Sequence, residues 1–235
     1  MLRTSIPVLL TILAAGCAAQ TNDEGAADTV LPVIDEVYIS QGFENPEGAT
    51  LAPDGGYFIS SVNGPGNQKD GNGYVSLISP DGEMVKRYWG AKLDAPKGMA
   101  ILNDTLYVAD IDKIAMLDLE TGNPAGSIRV EGAAFLNDMT TWGDAVYVSD
   151  SGTATIHKIS DGTSEVWLQD EALLGGVNGL LGDGERLLVA TMKTGTLFSA
   201  ARDGTLTEIA TGMENADGIG LVPGGGYLVS SWPGQ

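Results

Sequence analysis

The sequence predicts an all-β chain folded as a six-bladed β-propeller, incomplete, with about four and a half blades in 235 residues. Three observations predict it. Five segments repeat one pattern at a period near 40. Each full repeat holds four short strand-like runs separated by Gly-, Asp- or Asn-rich turns. The 33 glycines supply the positive-φ positions that so many tight turns require.

Each repeat opens on a polar residue followed by a small or acidic one: Glu47-Gly48, Lys97-Gly98, Asn137-Asp138, Asn178-Gly179 and Asp217-Gly218. A short apolar stretch, a turn and a β-rich run follow. Those runs are Tyr57-Phe58-Ile59, Leu106-Tyr107-Val108, Val146-Tyr147-Val148, Leu187-Leu188-Val189 and Tyr227-Leu228-Val229. Nine positions separate Gly48 from Tyr57, Gly98 from Tyr107, Asp138 from Tyr147, Gly179 from Leu188 and Gly218 from Tyr227. The constant offset predicts one register between first and second strand in every blade. A β-sandwich predicts no such register. Two further runs complete each of the first four repeats, as in Thr155–Ile159 and Glu165–Leu168 about the Asp161-Gly162 turn.

The ends divide the chain into three parts. Residues 1–17 read as a lipoprotein signal, with Arg3, an apolar stretch from Ile6 to Ala15, and Leu13-Ala14-Ala15-Gly16-Cys17. The last five resemble a bacterial lipobox whose leucine sits one residue early; an ordinary signal peptide cut near Cys17 is the alternative. Lipidation of Cys17 implies a membrane anchor at the bacterial cell envelope, periplasmic or outer-membrane-associated. Residues 18–34 are small, polar and acidic and read as a flexible tether. Residues 35–235 form the propeller. Within them Val37-Tyr38-Ile39 is expected to close the last blade, and the fifth repeat stops after its second strand, so a C-terminally truncated ring is expected.

Composition excludes several chemistries. A net charge of −19 argues against nucleic acid, whose phosphates require Lys and Arg. The same charge suits solubility and cation binding, although a solvated acidic surface explains it equally. Cys17 is the sole cysteine, so there is no intrachain disulfide and no thiolate cluster. His157, the sole histidine, falls in a strand and reads as structural. No nucleophile elbow, phosphate-binding loop or dinucleotide fingerprint is present.

In a propeller the first strand of each blade lines the central channel. Repeat symmetry therefore gathers Glu47, Lys97, Asn137, Asn178 and Asp217 about one opening. Carboxylates and amide carbonyls are hard oxygen ligands that suit Ca²⁺, and less strictly Zn²⁺, Mn²⁺ or Mg²⁺. Turn formation alone explains Asn178-Gly179 and Asp217-Gly218, but explains Glu47 and Asn137-Asp138 poorly. The loop from Asn63 to Gly73 leaves on the same face and is expected to cover part of the pocket, with a floppy surface excursion as the equal alternative. Asp110 and Asp150 end second strands near that face, as turn caps or as secondary substrate contacts.

Phe43-Glu44-Asn45-Pro46-Glu47-Gly48, Val177-Asn178-Gly179-Leu180 and Ala216-Asp217-Gly218-Ile219 resemble motifs of the regucalcin/gluconolactonase family, from about residue 35 to the end. The resemblance implies a six-bladed propeller with one catalytic divalent cation held by Glu47, Asn178 and Asp217. It also implies that Asn137 contacts metal or substrate. The chain departs from the pattern at Asn137-Asp138-Met139, where the family has Asn-Asp-Gly, and lacks the tryptophan common after the Glu-Gly motif. Leu106–Asp110 and Val146–Asp150 look more like NHL-type propellers, many of which only bind.

Two functions follow as expectations. The first is a metal-dependent hydrolase of the gluconolactonase type, acting on a small lactone or ester. In it Asp217, Asn137 and Lys97 are catalytic, and Asn137, Asp138, Asn63 and Asp150 touch substrate. Lys97 would stabilise an oxyanion or, alternatively, point to solvent. The second is a non-catalytic propeller that binds a ligand or partner protein at the envelope. A monomer is expected in either case.

Overall fold

A computed structural model describes residues 40–222 and 224–232. The signal segment with Cys17, the tether and the strand at Val37-Tyr38-Ile39 lie outside the described residues. Those described are all-β, with no helix among them.

The strands form a propeller of four complete blades and the first half of a fifth. Blade 1 contains β1 (Pro46–Leu51), β2 (Tyr57–Ser61), β3 (Gly73–Ile78) and β4 (Met84–Leu93). Blade 2 contains β5 (Pro96–Leu102), β6 (Thr105–Asp110), β7 (Lys113–Asp118) and β8 (Pro124–Arg129). Blade 3 contains β9 (Leu136–Trp142), β10 (Ala145–Asp150), β11 (Thr155–Ser160) and β12 (Thr163–Gln169). Blade 4 contains β13 (Val177–Asp183), β14 (Arg186–Thr191), β15 (Thr196–Ala200) and β16 (Leu206–Ala210). Strands β17 (Ala216–Leu221) and β18 (Tyr227–Ser231) begin the fifth. Within each blade the strands lie in chain order and pair antiparallel. Strands β1, β5, β9, β13 and β17 pack side by side in that order, as channel-lining strands must.

Local chemistry explains the hairpins. Ser160 pairs with Thr163 across Asp161 (φ 51°) and Gly162 (φ 73°). Positive φ at both central residues matches the right-handed twist of the flanking strands, and Asp-Gly tolerates it best. The Leu51–Tyr57 turn is longer, with Gly55 at φ 89° and the Asp54 carboxylate accepting the Gly56 amide at 3.0 Å.

That longer turn corrects the expected register. Leu51 pairs with Tyr57 and Leu221 with Tyr227, whereas Ile101 pairs with Leu106, Thr141 with Val146 and Gly182 with Leu187. The turns of blades 1 and 5 thus hold one residue more than those of blades 2, 3 and 4. The constant offset of nine matches Tyr57 to Tyr107 and Tyr147, but the pairing makes Phe58 their equivalent. A one-residue slip carries a side chain to the opposite face of a sheet, so Tyr57 faces the other way.

The core lies between blades. Phe58, Val75, Trp89 and Leu93 of blade 1 pack on Met99, Leu106, Val108 and Leu117 of blade 2. Ala109, Ile114 and Ile128 of blade 2 join Leu136, Met139, Val146 and Val148 of blade 3. Trp142, Tyr147 and Ile156 of blade 3 meet Leu180, Leu187, Val189 and Phe198 of blade 4. Burying both faces of each sheet is why its inner strands read as unbroken apolar runs rather than as alternation. These layers hold neighbouring channel strands at fixed separation, and so position the site.

Candidate functional site

The five polar pairs lie within the channel strands, on a bulge repeated in every blade. Pairing slips by one residue between Pro46 and Ala49, Pro96 and Met99, Leu136 and Met139, Val177 and Leu180, and Ala216 and Ile219. The two residues inside each slip are Glu47-Gly48, Lys97-Gly98, Asn137-Asp138, Asn178-Gly179 and Asp217-Gly218. A bulge places two residues against one and re-aims a side chain out of the alternating pattern. It also frees a backbone N–H. In three blades the facing serine accepts it: Ser60 from Gly48 at 2.8 Å, Ser149 from Asp138 at 2.9 Å and Ser230 from Gly218 at 2.8 Å. Ala109 and Ala190 occupy the same register in blades 2 and 4.

In blades 1 to 4 the second residue of the pair faces the next channel strand. A Cβ on Gly48 would stand 2.7 Å from the Lys97 carbonyl oxygen, one on Gly98 2.5 Å from the Asp138 Cα, and one on Gly179 2.0 Å from the Asp217 carbonyl oxygen. Glycine is required there because two backbones touch. In blade 3 the position is Asp138. Its carboxylate accepts the Met139 amide at 2.8 Å and, from blade 4, the Leu180 amide at 2.8 Å.

The ring is electrostatically coupled. Glu47 opens to solvent at the mouth, yet protein encloses it on most sides. That enclosure, then the Asp138 charge, and then Asp217, raise its pKa to about 8 against the opposing pull of Lys97. Burial raises Asp138 to about 6, against the Leu180 and Met139 amides, with Asp217 adding to the rise. Asp217 is raised by burial. The Asn178 side-chain amide donates to the Asp217 carboxylate and lies 3.5 Å from Met192 Sδ. Asn137 Nδ2 donates to Ser151 Oγ at 3.0 Å, and Ser151 donates on to the Val177 carbonyl at 2.6 Å. Asn137 and Asn178 are therefore tied together across the blade 3–blade 4 boundary.

A divalent cation suits these donors in kind and in charge. Glu47, Asp138 and Asp217 bring three carboxylates toward a single ammonium, Lys97; burial is the first cause of each raised pKa, and mutual repulsion adds to it at Glu47 and Asp138. Among the described residues no three acidic, histidine or cysteine side chains already converge as a chelate. The Asn178 amide, bonded to the Asp217 carboxylate, is the further oxygen-bearing side chain beside these acids. As placed it turns its NH₂ toward Asp217; rotation about the terminal torsion presents its carbonyl oxygen to the same space.

Other expected site residues have different surroundings. Asp138 bridges two blades, so both its oxygens are engaged away from a substrate. Asp150 is fully buried. Its carboxylate accepts the Ala134, Phe135 and Gly152 amides at 2.8–3.0 Å, with His157 Nε2 at 3.9 Å. It caps loops rather than presenting an atom to substrate. Asp110 does the same for Asp94 and Ala95. Asn63 adopts φ 56° and donates to the Asn72 carbonyl at 3.0 Å, closing the base of its loop. Lys97 neither points to solvent nor stands free over the channel: it is 2% exposed, beneath Gly66 and Phe135.

The serines opposite the bulges, together with Ser151, Phe135 and Met192, escaped the sequence reading. The triplets Phe58-Ile59-Ser60, Tyr147-Val148-Ser149 and Leu228-Val229-Ser230 carry the serine signal. The uniform offset of nine hid it by setting Ser60 against Asp150.

No protein-family model matches the sequence, and no curated relative does. Solved structures match in shape. A catalytically inactive virginiamycin B lyase from Staphylococcus aureus, with quinupristin, aligns with TM-score 0.65 at 14% identity over 83% of this chain and 66% of that one. A nidogen/laminin complex aligns with TM-score 0.65 at 16% identity, over 80% of this chain and 72% of that one. A streptogramin B lyase aligns with TM-score 0.61 at 14% identity, over 78% and 61%. The chain thus spans less than two thirds of either lyase. At such identities the likeness is one of propeller fold, shared by enzymes and binding proteins alike.

Proposed function

We infer that the chain is a divalent-metal-dependent hydrolase of the gluconolactonase-like type, acting on a small lactone or ester at the channel mouth. The observation that supports the reading is the repeated bulge, which sets Glu47, Asn137, Asn178 and Asp217 at equivalent positions of the channel strands of four blades. The motif resemblance at Glu47-Gly48, Asn178-Gly179 and Asp217-Gly218 supports it. Glu47, Asn178 and Asp217 would hold the cation. When bound, such a cation supplies Lewis acidity toward a lactone or ester carbonyl.

The chain's own residues divide the remaining work. Asn137, steadied by Ser151, orients the substrate. Asp217 accepts a proton from the water that adds to the carbonyl, and returns it to the ring or ester oxygen as the C–O bond breaks. The raised pKa of Asp217 moves it toward the range in which a carboxylate serves as base. Calorimetric titration with Ca²⁺, Zn²⁺ and Mn²⁺ tests the site, with Glu47→Ala and Asp217→Ala as controls. A lactone and ester panel with the preferred ion then tests the activity. Saturable heat lost in both variants, and turnover lost in Asp217→Ala, is the expected result. Absence of heat from the native chain would remove both cation and reaction.

A second reading, a propeller that binds without turnover, draws on one observation. Asp138 and Lys97, two of the charged groups nearest the ring, are already committed to bonds within the fold. It gives ligand affinity with no hydrolysis in the same panel.

A further inference from the structure

Segment 62–72 links β2 to β3 and belongs by sequence to blade 1, yet it is fastened to blade 2. Lys97 Nζ donates to the Gly66 carbonyl at 2.9 Å, and to the Ala95 carbonyl at 3.1 Å. Lys69 Nζ meets the Asp112 carboxylate at 2.7 Å, and the Gly71 amide donates to Asp94 at 3.1 Å. Phe135 comes from the loop ahead of blade 3, and its ring centre lies 4.3 Å from Lys97 Nζ. A methyl group on Gly66 would stand 3.8 Å from the Phe135 ring and 4.0 Å from the Lys97 stem. Gly66, Lys97 and Phe135 therefore form a stack, with the ammonium enclosed between a peptide carbonyl and an aromatic face.

The three fastenings differ in weight. Lys69 is half exposed, and a solvated ion pair of this kind contributes little. The Gly71–Asp94 bond is likewise exposed. The Lys97 contacts are charge-assisted and its side chain is buried, so they outweigh both exposed ties. The base of this glycine-rich connection is held by Val62 packing on Ala95 and Ile111 and by the Asn63–Asn72 bond, and Lys97 is the buried polar tie at its middle.

We propose that Lys97 is a positioning residue that latches segment 62–72 over blade 2, making it a fixed wall of the channel mouth. The consequence for recognition rests on the hydrolase reading: with this wall in place, a substrate extends toward blades 3 to 5 and compact lactones or esters are favoured over bulky ones. The latch stands without that reading and is tested without substrate.

The test is limited trypsin digestion at the Lys69–Asp70 bond, followed by mass spectrometry alongside a thermal melt. Lys97→Met keeps the stem and removes the ammonium; it should accelerate cleavage at Lys69 about tenfold or more. Lys97→Arg restores a cation that reaches the same carbonyl and should recover most of the protection. Cleavage after Lys158 and Arg202 should not change. Native-like protection at Lys69 in Lys97→Met overturns the latch. So does equal acceleration at all three sites, which marks general loosening. Should Lys97→Met fail to fold, Phe135→Leu removes only the ring face and should raise Lys69 cleavage several-fold; an unchanged rate overturns the proposal. If the latch holds while no ester or lactone is turned over, the hydrolase reading alone has failed.

Discussion

The Asp138 carboxylate accepts the Leu180 backbone amide at 2.8 Å, joining blade 3 to blade 4 at the position where blades 1, 2, 4 and 5 have glycine. Blades 1, 2 and 4 bring backbone against backbone there, and blade 3 substitutes a side-chain bond. Asp138→Ala leaves the Leu180 amide without an acceptor, at about 1–3 kcal/mol. For a domain of this size each kcal/mol moves Tm by about 2–4 °C. A fall of several degrees is expected by calorimetry, and Asp138→Asn, which keeps a carbonyl oxygen, should lose much less.

The bulge glycines should rank by what their missing Cβ would strike. A Cβ at Gly179 meets the Asp217 carbonyl oxygen at 2.0 Å, whereas at Gly218 the first obstacle is the Ser230 hydroxyl at 3.2 Å. A hydroxyl can shift by the few tenths of an ångström needed; a packed backbone cannot. Gly179→Ala should cost about 1–3 kcal/mol or more, and Gly218→Ala under about 1 kcal/mol. Paired urea melts of the two variants check the order. A larger loss at Gly218 contradicts the blade-to-blade packing described.

The parts of this architecture that were legible in the sequence are those repeated with little variation. The polar-Gly pairs recur because every channel strand carries the same bulge, and Glu47-Gly48 and Asn178-Gly179 add the same close approach of two backbones. The strand register was legible only to within one residue. The Asp54-Gly55-Gly56 turn absorbs an extra position that periodicity alone cannot assign to turn or strand. Lys97 was misread for a different reason. Its fate depends on Gly66 and Phe135, distant in sequence and held by tertiary packing, and a charged residue in a ring of acids reads as exposed until the loop above it is known.

The lipobox-like Leu13–Cys17 gives a prediction independent of the propeller. Expressed in a bacterial host, the native chain should partition with membranes and take up labelled fatty acid. Cys17→Ser should do neither and appear in the soluble fraction. Equal partitioning of the two favours an ordinary cleaved signal.

Glu47 connects stability, pH and the cation in one measurement. Its folded pKa, about 8, exceeds the unfolded value of 4.5 because enclosure and then the Asp138 charge disfavour the carboxylate. The sign follows: the folded state holds the proton more tightly, so Glu47's contribution is fully present below pH 4.5 and is lost as pH rises toward and through 8. Without added metal, Tm should fall between pH 5 and pH 8.5, and Glu47→Gln, which cannot ionise, should flatten that fall. Saturating Ca²⁺ should reverse the slope in the native chain, since a ligand that prefers the carboxylate stabilises the folded state more as pH rises. It should also release protons at pH 7, detectable by calorimetry in buffers of different ionisation enthalpy. A Glu47→Gln variant with the native pH slope would show that the carboxylate stands in open water. A native chain whose slope ignores Ca²⁺ would separate the acidic ring from metal binding.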